Sequence, residues 1–305
     1  YYLRIVRKVF DKRYPLDDSR EPMTYRTTAT VFSMGLAFLI FFCHQMGMSF
    51  WAIGLFFLIY FPMVVGVTRI RAEIGPPLHQ LIFVDPGRTM SLLLGTRRLG
   101  ASNLMGLTFL YPFVRCFRGH PMPSELEAFR LAERTRIGYR QLLVGMVLAI
   151  VFGVFITFWL YLHTMYQMGA GSKARGWIVY MGWETFNRLQ TWLVHPDDTK
   201  VAEMGVITGS FLFILFLMIM KIRFLWWPLH PGGYVLITGT GMAGLWFVIF
   251  LSWAIKATVL KMGGVRLYRK TVPFFLGLIL GDYTLGCVWS LIGLALKMPT
   301  YIVWH

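Results

Sequence analysis

Six stretches of this chain stay apolar for 17 to 26 residues at a time: 27–44, 49–68, 141–166, 204–220, 241–260 and 272–296. A helix needs about 20 such residues to cross roughly 30 Å of hydrocarbon. Each stretch is therefore long enough, or nearly so, to span a bilayer. The pattern predicts an all-α polytopic helical membrane protein, with about six transmembrane helices plus re-entrant or interfacial segments. A seventh apolar stretch, 103–117, is short and holds Pro112 and Arg115, so it is expected to half-enter the membrane or pack inside the protein. Only a few residues around 45–48 join the first two runs, which predicts an antiparallel helical hairpin.

Composition agrees with this reading. The 305 residues are 56% apolar, 17% aromatic and only 14% charged, with a mean hydropathy of +0.58. A soluble domain carries about a quarter charged residues. These values exclude a disordered chain, a secreted disulfide scaffold and an ordinary cytosolic enzyme. The organisation expected is a basic cytoplasmic leader (1–26), a first two-helix transmembrane unit with a long basic loop and a surface helix (27–140), and a four-helix transmembrane unit (141–305).

The net charge is +16, from 30 Lys and Arg against 14 Asp and Glu. The bases lie between the apolar runs and form no continuous face, so anionic lipid headgroups are the expected partner and nucleic acid is not. The leader through Arg26 carries seven bases and the segment 69–140 carries eleven, while 45–48 carries none. Both basic segments are accordingly expected in the cytoplasm. For the second half, six simple spans would leave the four bases of 261–270 outside, so either one pass is miscounted or a segment such as 228–240 is re-entrant. The three cysteines, Cys43, Cys116 and Cys287, are widely separated and read as small apolar residues. The chain opens at Tyr1 with no methionine and no signal-peptide core, as expected of the C-terminal part of a longer polypeptide or of a processed one.

Between 124 and 136 the charge pattern predicts a surface helix, opened by a Ser124–Glu127 capping box. Its simplest role is a solvated connection. Two short echoes also run through the chain. Arg69-Ile70-Arg71 followed by Pro77-Leu78-His79 resembles Lys221-Ile222-Arg223 followed by Pro228-Leu229-His230. The echo reads either as convergent interfacial anchoring or as a duplicated two-span unit with a proline-broken segment after each copy. Many secondary transporters build a central site in the second way.

Few residues carry chemistry. Asp282 lies about ten residues inside the last apolar run, near Gly277 and Gly281. A carboxylate at that depth either couples a proton or cation or bonds a neighbouring helix. Glu73 follows Arg69 and Arg71 where a span meets Pro76 and Pro77, and either lines a cavity or forms an edge salt bridge. Arg223 and His230 hold the matching place in the second echo. The candidate substrate or ion-coupling residues are therefore Asp282, Glu73, Arg71, Arg223 and His230. Lys256 is expected to snorkel toward headgroups. The seven histidines form no ligand pair, and there is no nucleophile elbow, P-loop or dinucleotide fingerprint. No cofactor, no metal and no enzymatic activity are expected.

Several longer stretches carry a resemblance. They are 69–77 (Arg-Ile-Arg-Ala-Glu-Ile-Gly-Pro-Pro), the run from His120-Pro-Met-Pro-Ser-Glu, the run from Arg223-Phe-Leu-Trp-Trp-Pro-Leu-His-Pro, and 273–282 (Pro-Phe-Phe-Leu-Gly-Leu-Ile-Leu-Gly-Asp). Along nearly its whole length the chain resembles the C-terminal half of an uncharacterised family of bacterial multi-pass membrane proteins, loosely similar to oligopeptide-transporter-type proteins. The resemblance implies a bacterial cytoplasmic (inner) membrane and an N-terminal half or other membrane subunits as partners. It transfers no functional residue. The function expected is a secondary-transporter-like permease for a peptide-like or small polar solute. The alternative is a non-catalytic structural or accessory subunit of a large membrane complex, and an enzyme acting on lipid-linked substrates ranks last.

Overall fold

Hydrocarbon offers no water to bond backbone groups, so an apolar run must satisfy them internally, and the long runs here are all helical. The computed structural model describes residues 2–11, 15–18, 21–75, 85–169, 176–237, 239, 244–296 and 298, and these contain no strand. The chain divides into two units, Tyr1–Ala243 and Gly244–His305.

The first unit holds ten α-helices among its described residues: α1 (Tyr2–Phe10), α2 (Tyr25–Gln45), α3 (Phe50–Ile74), α4 (Pro86–Leu94), α5 (Thr96–Val114), α6 (Pro121–Thr135), α7 (Tyr139–Met168), α8 (Gly176–Val194), α9 (Val201–Arg223) and α10 (Pro231–Ile237). The second unit is built on α11 (Trp246–Leu296). Five helices, α2, α3, α7, α9 and α11, are long and apolar enough to cross a membrane. Against the six runs expected, the difference lies in α11, which contains the last one and most of the fifth. Its backbone leaves helical geometry at Gly264 (φ 57°, ψ −160°), a conformation open essentially to glycine alone. Ser252 and Leu276 line one cavity, although a continuous helix would hold them about 36 Å apart. The two arms therefore fold back on one another, and the Lys256 ammonium lies 5.4 Å from the centre of the Tyr268 ring.

In the first unit, α2 and α3 form the expected hairpin. The turn between them is held by α5: Ser102 Oγ donates to the Gly47 carbonyl (2.5 Å), and Ser49 donates from both its backbone N–H and its hydroxyl to Asn103 Oδ1 (2.8 and 2.9 Å). The stretch 103–117 thus packs inside the unit. Leu104, Leu107, Tyr111 and Val114 form its buried face, at helical spacing. α5 runs parallel to α3, since Asn103 meets Ser49 at one end and Phe117 joins Val64 and Val67 at the other. α8 runs antiparallel to α5: the chain just beyond α8 bonds Thr96, and Glu184 bonds Arg115.

The surface helix does not begin as expected. α6 starts at Pro121, and its cap is His120, whose Nδ1 accepts the Met122 N–H (3.3 Å). Proline fits a first turn, where a backbone N–H has no helical partner, so Pro121 sets the start three residues earlier. Ser124 falls inside the helix, and Glu127 turns away to Arg71 on α3.

Both α3 and α9 are followed by a short helix that turns back along the bundle. Met90 of α4 shares a buried cluster with Ala52, Ile53 and Phe56 of α3. Tyr234 of α10 donates to Ser210 Oγ (3.2 Å) and packs edge-on to Phe213, both on α9. Of the first echo, Pro77, Leu78 and His79 lie outside the described residues, as does Pro76.

Candidate functional site

Polar side chains gather at two places in the first unit. The first is a cavity of about 330 Å³ between α4, α5, α8 and the connection from α8 to α9. Its floor starts from Asp85-Pro86, which sets the N-terminus of α4. Asp85 is 1% exposed, and its Oδ1 accepts the Arg88 N–H (2.8 Å) as a helix cap. Its Oδ2 accepts from Arg188 Nη1 of α8 (3.2 Å). The Arg188 guanidinium lies 3.7 Å from the centre of the Tyr111 ring and 4.7 Å from that of Trp192, so two aromatic faces fix its plane.

Glu184, one turn before Arg188, does not pair with it. Its Oε1 accepts the Tyr111 hydroxyl (2.8 Å) and its Oε2 accepts Arg115 Nε (2.8 Å). Burial and the Glu184 carboxylate push the Tyr111 phenol up to about 12, so its hydroxyl remains a donor at any physiological pH. Two guanidinium nitrogens of Arg188, Nε and Nη2, are buried without a hydrogen-bond partner. Leaving such a donor unpaired costs about 1–3 kcal/mol.

The mouth is fastened to the corner between α4 and α5. Asp197 donates its N–H to Thr96 Oγ1 (2.8 Å) and accepts from the Arg97 N–H (3.2 Å). Gly95 turns that corner with φ 77°, and a Cβ there would lie 2.8 Å from the Asp197 carbonyl oxygen. Lys200 bridges Asp197 (3.0 Å) and Glu203 (3.9 Å) at the half-exposed rim. The cavity thus runs from exposed charges at the rim to buried ones at the floor.

The second place is where α3, α9 and α10 meet, beside a cavity of about 530 Å³. Glu73 accepts from Arg69 Nε (2.6 Å), and its other oxygen lies 3.7 Å from Lys221 Nζ and 3.4 Å from His230 Nε2. Lys221 also contacts His230 directly. Burial and the Lys221 ammonium hold the His230 imidazole below its ordinary value, against the pull of Glu73. Beside the second cavity, which Val235 lines, sit the buried apolar side chains Val64, Val67 and Phe117, with Tyr60, Met63 and Val235 packed on them.

Of the expected site residues, Glu73 and His230 come together here. Arg71 turns instead to Glu127 of α6 (2.5 Å). Arg223 is exposed in the last turn of α9 and lines neither cavity. Asp282 lies on the second arm of α11, exposed within its own unit. Sequence reasoning passed over Asp85, Tyr111, Glu184, Arg188 and Trp192. Asp85-Pro86 was a readable helix start, and Glu184 with Arg188 was a readable charged pair in an apolar setting. Among the described residues no three His, Cys, Asp or Glu side chains converge as metal ligands.

Five helices long and apolar enough to cross a membrane, with no strand among the described residues, give the chain the build of a helical membrane protein. Within that class it belongs to the family of unknown function DUF6785, whose model matches residues 1–305. No curated protein and no solved structure matches it, so nothing there carries the looser likeness to oligopeptide transporters.

Proposed function

We propose that the chain is the solute-handling part of a permease in the cytoplasmic membrane of a bacterium, its basic edges lying against anionic headgroups. The substrate site is the cavity floored by Asp85, Tyr111, Glu184 and Arg188. The junction of Glu73, Lys221 and His230 gates the opposite end. The observation that carries this reading is the pair of polar cavities in the first unit, one between α4, α5 and α8 and the other where α3, α9 and α10 meet. A transporter needs an opening on each side of the membrane that is used in turn. Short helices that turn back beside spans are a common way to bring polar groups into a bundle without exposing backbone to lipid. Asp282 is the candidate coupling carboxylate, because an ionisable group within an apolar helix is rarely placed there for packing alone.

The other reading, an accessory subunit of a larger complex, draws on α7. Phe152, Phe155, Phe158 and Trp159 are all exposed on it, a surface that lipid or a neighbouring subunit would cover. Uptake into proteoliposomes separates the two. A panel of small polar solutes is offered under an imposed pH gradient. The permease reading expects accumulation of at least one of them, abolished by Asp85→Asn, with the pH drive lost in Asp282→Asn. Unchanged pH-driven uptake in Asp282→Asn would remove the coupling role. Stable co-migration with other subunits in mild detergent, with no solute-dependent stabilisation, would replace the permease by the subunit.

A further inference from the structure

We propose that Arg188 recognises the carboxylate of a small solute through its Nε–Nη2 edge. This rests on reading the cavity as the solute site. Three observations fix the edge. Asp85 takes Nη1 at 3.2 Å, and the Tyr111 and Trp192 rings hold the guanidinium plane. Nε and Nη2 are left unpartnered and out of reach of water, so a solute meets them once the side chain shifts toward the cavity that Arg188 lines. On a guanidinium these two N–H groups lie side by side and point the same way, and their spacing matches the two oxygens of a carboxylate. Tyr111 cannot turn to serve Arg188 instead, because its hydroxyl is engaged by Glu184.

The charge of the cavity selects among anions. Its lining carries four carboxylates (Asp85, Glu184, Asp197, Glu203) against three cations (Arg88, Arg188, Lys200). Arg115, bonded to Glu184 from behind, brings the set to neutrality. A site so balanced accepts a single negative charge at Arg188 and opposes a phosphate dianion. At about 330 Å³ the cavity stands at the small end of ligand sites, which suits a solute with few heavy atoms. Desolvation around the edge strengthens a charge-assisted pair made there.

The test uses the full chain purified in detergent, with propionate and L-alanine as carboxylate probes. Propionamide and L-alaninamide are their amide counterparts, and inorganic phosphate is the dianionic control. Binding is read by saturation-transfer NMR and by the shift in thermal unfolding midpoint. Saturation transfer to at least one carboxylate and not to its amide is expected, with no response to phosphate. Arg188→Lys keeps a cation beside Asp85 but loses the fork, and should weaken carboxylate binding at least tenfold. The comparison of carboxylate with amide on the unaltered protein stands even if that variant fails to fold. Equal binding of acid and amide, phosphate in preference to carboxylate, no carboxylate binding, or undiminished binding by a folded Arg188→Lys would each overturn the proposal. Carboxylate binding without uptake into proteoliposomes would support the recognition and sink the permease. Uptake with no preference for the carboxylate would do the reverse.

Discussion

Two arginines of the first unit meet very different surroundings. Arg115 and Glu184 are 4% and 14% exposed, whereas Arg71 and Glu127 are 24% and 52% exposed. Removing one partner of a buried pair strands the other charge and costs about 3–5 kcal/mol. An exposed pair contributes about 0.2–1 kcal/mol, because solvent screens it. Arg115→Met should therefore lower the unfolding free energy by about 3–5 kcal/mol, and Arg71→Met by less than about 1 kcal/mol. Unfolding titrations in mixed detergent check both, and equal losses would contradict the burial described for Glu184. At this scale the sequence was only partly legible. Arg115 was visible as an obstacle to a span, but its partner lies 69 positions away, beyond any local spacing rule. Glu184 and Arg188 stand one helical turn apart, the spacing of an ion pair. Each instead pairs across the bundle, which only the packing of α8 on α5 determines.

Elements were read more or less well according to how local their cause is. The hairpin of α2 and α3 follows from two apolar runs and a short joint. The start of α6 turned on which of two local signals prevails, and Pro121 with His120 overrode the Ser124–Glu127 box. α8 was overlooked because Glu184 and Arg188 interrupt its apolar pattern, and the same charges make it the wall of the cavity. The echo matched Arg71 with Arg223 and His79 with His230, whereas the junction of α3 with α9 brings Glu73 to His230, a pairing the echo did not contain. Two element boundaries hang on glycine. Gly95 has φ 77° and an approach of 2.8 Å to the Asp197 carbonyl, and Gly264 has φ 57° with ψ −160°. An alanine in such a conformation costs about 1–3 kcal/mol. Gly95→Ala should be the more damaging of the two, since the added methyl group also meets backbone. Thermal unfolding of Gly95→Ala and Gly264→Ala checks this, and a wild-type midpoint in either would mean that the corner or the hinge is not built as described.

The whole molecule combines exposed apolar helices with a polar cavity inside its first unit. The mean hydropathy and the exposed aromatic residues of α7 suit an apolar surrounding, while the Asp85–Arg188 and Arg115–Glu184 pairs are buried beside a polar cavity. The first property was legible from composition, because bilayer thickness imposes the length of each run. The second was not, since a cavity is made by residues from four segments whose sequence separation hides them. Cysteine labelling reads both at once. The native Cys43, Cys116 and Cys287 are replaced by alanine, and single cysteines are introduced by Ser91→Cys in the cavity wall and by Phe155→Cys midway along α7. A maleimide reacts with the thiolate, which forms in water and not in hydrocarbon. In open membrane sheets a water-soluble maleimide should label the Ser91→Cys protein, and should label the Phe155→Cys protein only after denaturation. Labelling of Phe155→Cys in untreated membranes at the rate seen in denaturant would contradict the account.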